Sequence, residues 1–469
     1  MRATLAQILP FVGGAKLVGG GQAADQLACD GVSTDSRTVA AGTLFVALRG
    51  EVFDAHDFLP QVTEKGVAAV VVEQLPEGWD ATGVAAIVVP NTLTALGQIA
   101  NYWRRQFAVP VIGVTGSNGK TTVKEMISAI LASAHGEEGR LATRGNLNNE
   151  IGVPLTLFRM APEHMSAVIE MGMNHPGEIA RLAAIAAPTI AMVNNAQREH
   201  QEFMHTVEAV ARENGAVLAA LPADGVAVFP FGDEFTPVWE ELSAGRRAIR
   251  FGLDAQAEVS CTFTAGDFGS EMEVALNDAQ YGVPVAFGVS LQAAGEHNVR
   301  NALAAIACTW AAGVPVEFIQ RGLNGFAPVS GRLQRKTAAN GAVVIDDTYN
   351  ANPDSVRAAI DVLSKAAAPR VLVLGDMGEV GTQGREFHEE IGAYAQSKGI
   401  EQVLVTGELA SHMKGSAIRH FSQFGDLLAA VDTVVTPDAT VLIKGSRFMK
   451  MERVVQHLIG TQQANKGSH

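Results

Sequence analysis

The stretch Val111-Ile-Gly-Val-Thr-Gly-Ser-Asn-Gly-Lys-Thr-Thr122 decides how the middle of this chain folds. Its first four residues are apolar or small and predict a buried strand. Gly116 and Gly119 then allow a tight turn whose backbone N–H groups face an anion. Lys120 supplies a positive charge for the β- and γ-phosphates of a nucleotide, and Thr121 supplies a hydroxyl for Mg²⁺. The predicted nucleotide-binding loop comprises Thr115, Gly116, Ser117, Asn118, Gly119, Lys120, Thr121 and Thr122.

The residues that follow the loop repeat with the period of an amphipathic helix. The apolar positions, three and four residues apart, are Val123, Met126, Ile127, Ile130 and Leu131. This spacing predicts a helix packed on a sheet. The usual phosphate-loop pattern has glycine where this chain has Val114, so the loop is a variant. The alternative, a glycine turn with an exposed lysine, leaves the flanking strand and helix unexplained.

Length and composition limit the classes of protein to consider. The chain has 469 residues, enough for two to four domains, and a net charge of −14, which argues against a nucleic-acid partner or an anionic membrane surface. Its three cysteines are far apart, so a disulfide framework or zinc cluster is not expected. Neither a signal peptide nor a stretch long enough for stable membrane insertion is evident. We expect a soluble protein of the cytoplasm.

Strand and helix patterns divide the chain into three α/β segments. These are residues 1–107, 108–329 with the phosphate loop in a mainly parallel sheet flanked by helices, and 330–469 as a Rossmann-like unit without its own glycine fingerprint. The strands expected outside the phosphate-loop stretch are 43–48, 68–72, 85–89, 167–169, 189–193, 342–345, 371–374, 402–405 and 441–443, and a helix is expected at 92–107.

Polar residues follow two predicted strands of the central segment. Glu170 follows one strand, and Asn194 and Asn195 follow the next. Ligands of doubly wound sheets bind at the carboxyl ends of strands, so we expect these side chains near the phosphate loop. Glu170 is a candidate for Mg²⁺, the alternative being a solvated carboxylate. His200 is a candidate for a second metal, the alternative being an ordinary surface histidine.

Other polar clusters lie before or after predicted elements. Ser33–Arg37 suits a diphosphate or forms a simple turn, and Asn298 caps a helix or hydrogen-bonds adenine. The run Asp346–Asp354 has too many carboxylates and amides for a turn alone, and suits ribose hydroxyls, a metal or an ammonium group. Arg332 and Lys444 offer positive charge to a transferring phosphoryl group.

Taken in order, these motifs resemble those of the Mur ligases, which act in bacterial cell-wall synthesis. The resemblance covers nearly the whole chain. It rests on stretches 34–37, 42–50, 115–122, 146–154, 170–172, 176–179, 297–298, 331–332, 346–353, 374–377 and 444–447. The stretch Asp346-Asp-Thr-Tyr-Asn-Ala-Asn-Pro353 favours the member that adds D-alanyl-D-alanine to UDP-N-acetylmuramoyl-tripeptide.

The resemblance implies a role for each domain in an ATP- and Mg²⁺-dependent monomer. The first domain would bind the UDP substrate, the central domain ATP, and the third domain both nucleotide and dipeptide. Implied substrate residues are Ser36, Arg37, Asn148, Asn149, Tyr349, Asn350 and Asn352. Implied ATP residues beyond the loop are Asn298, Arg332 and Asp347. Implied metal ligands are Thr121, Glu170 and His200, and implied catalytic residues are Lys120, Glu170, His200 and Arg332.

One position departs from the family pattern. Many members carry a lysine, often carbamylated, fourteen residues after the metal-binding histidine, and this chain has Asn214 there. A neutral amide cannot carry the negative charge of a carbamate. Either the neighbouring Glu213 or water completes a second magnesium site, or that site is weaker.

Two other readings remain open from the residues. A related ligase could add one amino acid to a UDP-peptide or glutamate to folate, although a folate ligase would not need the Ser36–Arg37 diphosphate element. The alternative from another functional class is a nucleotide-driven switch such as a GTPase. It lacks support because the sequence has no Asn-Lys-x-Asp guanine motif.

Overall fold

The computed structural model describes residues 1–266, 268–277 and 285–460, which form three α/β domains. Each domain has its own sheet with helices packed on it, which confirms the predicted fold class. The boundaries at 107/108 and 329/330 stay a prediction, and the last nine residues of the third segment lie outside the described ranges. Within those ranges, every helix is too short or too polar to cross a bilayer.

The first domain is a small sheet with short helices. Its strands are β1 Arg2–Thr4, β2 Lys16–Val18, β3 Ala28–Asp30, β4 Val32–Ser33, β5 Leu44–Val46, β6 Ala69–Val72 and β7 Ala85–Val88. Its helices are α1 Leu5–Ile8, α2 Leu59–Glu64 and α3 Thr92–Arg104. The main sheet runs β2-β7-β6-β5-β4, parallel except for β2, and β1 pairs with β3 separately. Three predicted strands and the predicted helix are confirmed here.

The central domain is built on a nine-stranded sheet. Its strands are β8 Val111–Thr115, β9 Arg140–Ala142, β10 Ser166–Glu170, β11 Ile190–Val193, β12 Val226–Pro230, β13 Arg247–Gly252, β14 Val259–Ala265, β15 Ser270–Leu276 and β16 Val285–Leu291. The order is β16-β15-β14-β13-β12-β11-β8-β10-β9, parallel from β14 to β9 and antiparallel at β15 and β16. Strand β8, which leads into the phosphate loop, therefore lies between β10 and β11.

Helices cover both faces of the central sheet. They are α4 Lys120–His135, α5 Gly152–Leu157, α6 Glu178–Ala186, α7 Gln201–Met204, α8 Val207–Ala219, α9 Thr236–Leu242, α10 Glu296–Ala311 and α11 Val316–Asn324. All five predicted apolar positions of α4 are fully buried, so the amphipathic pattern is confirmed. Helices α10 and α11 pack against α4 on one face, whereas α3, α6 and α8 share a core that extends into the first domain.

The third domain is a six-stranded sheet of the Rossmann type. Its strands are β17 Gln334–Thr337, β18 Val343–Asp347, β19 Arg370–Gly375, β20 Gln402–Thr406, β21 Ile418–Phe421 and β22 Thr440–Lys444. Its helices are α12 Pro353–Ser364, α13 Gly384–Ser397, α14 Phe424–Val434 and α15 Glu452–Ile459. The order is β17-β18-β22-β19-β20-β21, and only β17 is antiparallel. The acidic end of β18 thus lies beside Lys444 at the end of β22.

His388 on α13 is fully buried and is hydrogen-bonded as a neutral ring. Nδ1–H donates to the carbonyl of Gly384 at 2.6 Å, and Nε2 accepts the backbone N–H of Met377 at 3.0 Å. Burial lowers the pKa of His388 from its ordinary 6.5. The unfolded chain therefore takes up this proton at a pH where the folded chain does not. The resulting stability is fully present above pH 6.5 and is lost as the pH falls below it.

We expect the melting temperature to fall between about pH 7.5 and about pH 5.5, and His388→Gln to flatten that fall. The glutamine side chain is neutral at both pH values, so it takes up no proton on unfolding. The variant should also melt several degrees lower at neutral pH, because the packing of the ring is lost. Scanning fluorimetry against pH measures both effects. The matched control is His135→Gln, at an exposed position. Parallel curves for wild type and His388→Gln would contradict the assignment.

Candidate active site

The phosphate loop connects β8 to α4 through two glycines that other residues could not replace. Gly116 has φ 129° and Gly119 has φ 83°, both in the region that favours glycine. A Cβ atom on Gly119 would lie 2.5 Å from Asn301 Oδ1 and 2.6 Å from Asn194 Nδ2. The tight loop leaves the first N–H groups of α4 without partners inside the helix, where they favour an anion.

Amide side chains from neighbouring elements fix the loop. Asn214 Oδ1 accepts the N–H of Gly116 at 2.9 Å, and Asn195 Oδ1 accepts that of Asn118 at 2.9 Å. Asn194 Nδ2 donates to the carbonyl of Asn118 at 2.8 Å. The expectation that Asn194 and Asn195 meet the loop is therefore confirmed. These bonds hold the loop in one shape before any ligand arrives, which reduces the ordering that binding requires.

Two adjoining cavities meet at the loop, between the central and third domains. The first, of about 580 Å³, is lined by Ser117, Asn118, Gly119, Lys120, Thr121, Asn148, Asn149, Glu170, Glu199, His200, Arg332, Tyr349, Asn350 and Asn352, among others. The second, of about 530 Å³, is lined by Asn118, Gly119, Thr122, Asn194, Asn298, Asn301, Arg332, Asp347 and Lys444, among others. The structure thus brings most of the predicted site residues together around one helix N-terminus.

Glu170 ends β10 and lies directly across from the start of α4. Its Oε1 accepts Thr121 Oγ1 at 3.3 Å and Asn148 Nδ2 at 2.9 Å. The residue is only 2% exposed, and its Oε2 is buried without a hydrogen-bond partner. A buried carboxylate oxygen without a partner is costly, and a hard cation would satisfy it. Thr121 and Glu170 therefore fit Mg²⁺, which binds one or two carboxylates and completes its shell with phosphate and water.

His200 also faces the first cavity, on a strained backbone. It has φ 48°, and its Nδ1 lies 2.8 Å from Glu379 Oε2, off the direction of a hydrogen bond. The short polar contact with His200 lowers the pKa of Glu379. Among the described residues, no three His, Cys, Asp or Glu side chains form a group that would hold a metal unaided. A cation here would need oxygen atoms from the substrate.

Of the alternatives for a second cation site, the one in which Glu213 completes it is wrong. The Glu213 carboxylate accepts the N–H of Gly177 at 2.8 Å and that of Ile179 at 2.9 Å, at the start of α6. It therefore stabilises a helix N-terminus instead of facing the cavity. The acidic residue beside Asn214 is Glu199, which the sequence analysis did not assign. Its place among the polar residues that follow β11 is the sequence signal that could have found it, although not the direction of its side chain.

The third domain contributes one arginine and one ion pair. Arg332 lies 3.9 Å above the Tyr349 ring, and its Nη2 lies 3.4 Å from Thr121 Oγ1. Lys444 Nζ lies 2.6 Å from Asp347 Oδ2 and donates to the carbonyl of Asn350 at 2.8 Å. Arg332 therefore reaches the phosphate loop from the other domain, while the Asp347 carboxylate is already engaged by Lys444.

Several predicted residues have structural partners of their own. Thr115 Oγ1 lies 3.0 Å from the carbonyls of Met192 and Asn214, beneath the loop. The alternative of a helix cap for Asn298 is wrong, because Gly295 takes that position. Asn298 Nδ2 donates to the Ala294 carbonyl at 2.8 Å and lines the second cavity.

The two residues predicted to bind a diphosphate lie in the first domain. Arg37 is exposed and pairs with Asp35 at 2.8 Å, and the Ser36 carbonyl accepts Lys65 Nζ at 2.7 Å. Neither Ser36 nor Arg37 is among the described residues that line the two cavities. Their proposed role therefore concerns a part of the substrate outside these cavities.

Comparison with known proteins agrees with this geometry. Three sequence models match: "Mur ligase family, catalytic domain" at 29–104, "Mur ligase middle domain" at 114–309, and "Mur ligase, glutamate ligase domain" at 331–447. The chain is 37% identical to UDP-N-acetylmuramoyl-tripeptide–D-alanyl-D-alanine ligase of Escherichia coli strain K12, over 93% of this chain and 95% of the relative. The chain belongs to the Mur ligase family.

This Mur ligase is also similar in structure to solved MurF structures. A crystal structure of MurF from Acinetobacter baumannii has a TM-score of 0.89 and 33% identity, covering 98% of this chain and 99% of that one. MurF ligase from Thermotoga maritima in complex with ADP has a TM-score of 0.82 and 27% identity, covering 92% and 97%. The resemblance stated from the motifs is therefore confirmed.

Arg198 ties the central domain of this Mur ligase to the third domain. Its Nη2 lies 2.6 Å from Asp354 Oδ1 and its Nη1 lies 2.7 Å from Glu390 Oε2, and its guanidinium lies 5.2 Å from the Phe387 ring centroid. The hydrogen bonds with Asp354 raise the pKa of Arg198. A reciprocal amide pair between Asn118 and Asn352 joins the same two domains. These contacts hold the cavities between the domains in shape.

We expect Arg198→Ala to lower kcat/KM for ATP about tenfold, because two carboxylates lose their cation and the domains separate more easily. Steady-state kinetics and small-angle scattering measure the two effects. The matched control is Arg385→Ala, which removes an exposed pair with Glu389 within one helix and should change neither quantity. An unchanged kcat/KM for ATP together with an unchanged radius of gyration in Arg198→Ala would contradict this role.

Proposed function

We propose that this chain joins the terminal carboxylate of UDP-N-acetylmuramoyl-tripeptide to the amine of D-alanyl-D-alanine and cleaves ATP to ADP and phosphate. The observation that carries the proposal is the meeting of Lys120, Glu170 and Arg332 at one cavity between two domains. The relatives are named as D-alanyl-D-alanine ligases, which supports these substrates over a single amino acid or folate. The ADP complex of the Thermotoga maritima ligase supports use of ATP.

The proposed reaction has two steps. A tripeptide carboxylate oxygen attacks the γ-phosphorus of ATP, the bond to the β-phosphate oxygen breaks, and ADP leaves. The dipeptide amine then attacks the acyl carbon, the bond to the phosphate oxygen breaks, and the amine proton is lost as the amide forms. An acyl phosphate hydrolyses readily, so a cavity closed between two domains protects it from water.

The charges at the site match what the first step requires. A carboxylate that approaches a triphosphate meets like charge, and Lys120 and Arg332 offset that repulsion from two sides of the loop. Thr121 and Glu170 would hold one Mg²⁺ and His200 is assigned to a second cation, and each ion would add positive charge at the phosphates when bound. Asn118 and the backbone amides at the start of α4 orient the phosphates, while Thr122, Asn298 and Asp347 line the side proposed for the nucleoside.

The two substrates other than ATP are assigned to the remaining residues. We assign Ser36 and Arg37 to the diphosphate of the UDP substrate, and Asn148 and Asn149 to its peptide. Tyr349, Asn350 and Asn352 line the first cavity from the third domain and are assigned to the dipeptide. We further propose that the protein acts as a monomer in the cytoplasm. Its three cysteines are buried and free, which supports a reducing compartment.

Phosphate release from ATP tests the function, with each substrate present alone and both together. We expect release to require both, with a product heavier by one D-alanyl-D-alanine less water in the mass spectrum. Glutamate and a folate serve as substitute substrates. Release that continues without either substrate, or that follows folate, would contradict the proposal.

A further inference from the structure

Glu199 is a buried carboxylate at the phosphate loop with incomplete partners. The residue is only 7% exposed and lines the first cavity. Asn214 Nδ2 lies 3.3 Å from its Oε1, while Lys120 Nζ lies 3.5 Å and His200 Nε2 3.8 Å from its Oε2. Its polar contacts are therefore long, and one of them is with a neutral amide.

The cation nearest to Glu199 is also the one the reaction requires elsewhere. Lys120 Nζ now donates to the carbonyls of Gly116 and Ser117 and lies beside Glu199. When Lys120 turns to the phosphates of a nucleotide, Glu199 keeps only Asn214 and the ring of His200. A buried carboxylate without an opposing charge is strongly unfavourable, so binding of the nucleotide calls for another cation at this position.

The backbone places two candidate ligands on the same side of the chain. In an extended segment the side chains of Glu199 and His200 would point in opposite directions. The left-handed conformation of His200, with φ 48° and ψ 34°, turns both into the first cavity. Because Glu379 lies at Nδ1 of His200, Nε2 is on the side of Glu199.

A separate observation also points to a cation in this cavity. Oε2 of Glu170 lies in the same cavity, buried and without a hydrogen-bond partner. The cavity therefore has two carboxylates from different elements: Glu170, with an oxygen that a first cation would satisfy, and Glu199, which loses Lys120 when the nucleotide binds.

Resting on the proposed ATP-dependent function, we propose that Glu199 is the carboxylate ligand of the second cation site at His200, in the place of the lysine that the family pattern has there. The Glu199 carboxylate supplies the negative charge that the neutral Asn214 lacks. Asn214 is a positioning residue, because its side chain holds the Gly116 amide and Glu199 at once. The chain then needs no modified lysine, and bicarbonate leaves its cation binding unchanged. Two protein ligands suffice, since divalent cations at phosphates complete their shell with phosphate and water oxygens.

Counting bound Mn²⁺ by electron paramagnetic resonance tests this inference. The full-length protein is saturated with a non-hydrolysable ATP analogue, and free Mn²⁺ is measured during titration with and without bicarbonate. We expect two Mn²⁺ per nucleotide complex in the wild type, and Glu199→Gln to weaken the second at least about tenfold. The matched control, Glu202→Gln, removes an exposed carboxylate three residues along and should keep both ions. An unchanged second affinity in Glu199→Gln would overturn the inference and leave Glu199 as a partner of Lys120 alone.

A second measurement does not depend on the variant folding. Anomalous diffraction from wild-type crystals that contain Mn²⁺ and the ATP analogue should show a peak within about 2.3 Å of a Glu199 oxygen. Nucleotide bound with a single Mn²⁺ at Glu170 would overturn the inference and leave the proposed function standing. A protein that binds no nucleotide would contradict both.

Discussion

Lys120→Ala should abolish amide formation, with kcat/KM reduced at least about a thousandfold. Lys120 opens α4, and its ammonium group lies beside the loop carbonyls of Gly116 and Ser117, within reach of any phosphate at the helix N-terminus. The next lysine along α4, Lys124, does not replace it, because Lys124 is fully buried and paired with Glu125. Lys120→Arg should restore little, since a planar guanidinium does not replace a compact ammonium group in a tight loop.

The loss in Lys120→Ala should be confined to the phosphate chemistry. We expect calorimetry to give an unchanged affinity for the UDP substrate, whose diphosphate is assigned to the first domain. The melting temperature should fall moderately, because the buried Glu199 carboxylate loses the cation that lies 3.5 Å from its Oε2. The matched control is Lys365→Ala, at an exposed position of the third domain. Loss of UDP-substrate binding in Lys120→Ala would show that the residue is structural.

Lys444→Met should destabilise the third domain by about 3 to 5 kcal/mol. Lys444 and Asp347 form a buried ion pair at the ends of adjacent strands, with Nζ and Oδ2 2.6 Å apart. Burial lowers the pKa of Lys444, and the carboxylate of Asp347 opposes that shift. Removal of the ammonium group leaves Asp347 buried and uncompensated, with the N–H of Leu333 as its remaining donor at 3.2 Å. Differential scanning calorimetry measures the effect.

A double-mutant cycle separates the ion pair from simple packing. The double variant Asp347→Asn/Lys444→Met lacks both charges. It should therefore lose less stability than Lys444→Met alone. The matched control is Lys398→Met, which breaks an exposed pair with Asp361 and should cost less than about 1 kcal/mol. Additive losses in the double variant would contradict a coupled buried pair.

The sequence was sufficient for most of the fold. The apolar period of α4 and the strand before it predicted the loop, because one buried face of a helix leaves a strong periodic pattern. The alternating burial of β15 was equally readable from Ser270 to Leu276, yet the sequence analysis assigned no strand there. What sequence could not give is the antiparallel pairing of β15 with β14 and β16, which depends on contacts distant in the chain.

The cation ligands were harder to predict than the loop. Glu170 was found because it is the last residue of a buried strand, and the strand fixes the direction in which its side chain points. Glu199 lies six residues past the end of β11, and its direction depends on the left-handed turn at His200, which no spacing rule reveals. Glu213 was misplaced because adjacency to Asn214 in a helix puts the two side chains on different faces.

The fate of the substrate's carboxylate oxygens tests the central claim most directly. The enzyme would be supplied with UDP-N-acetylmuramoyl-tripeptide labelled with ¹⁸O in its terminal carboxylate, together with ATP and D-alanyl-D-alanine, and both products weighed by mass spectrometry. The account predicts one ¹⁸O in the released phosphate and one in the new amide carbonyl. Unlabelled phosphate would mean that water, and not the carboxylate, attacks ATP, and would contradict the proposed ligase chemistry.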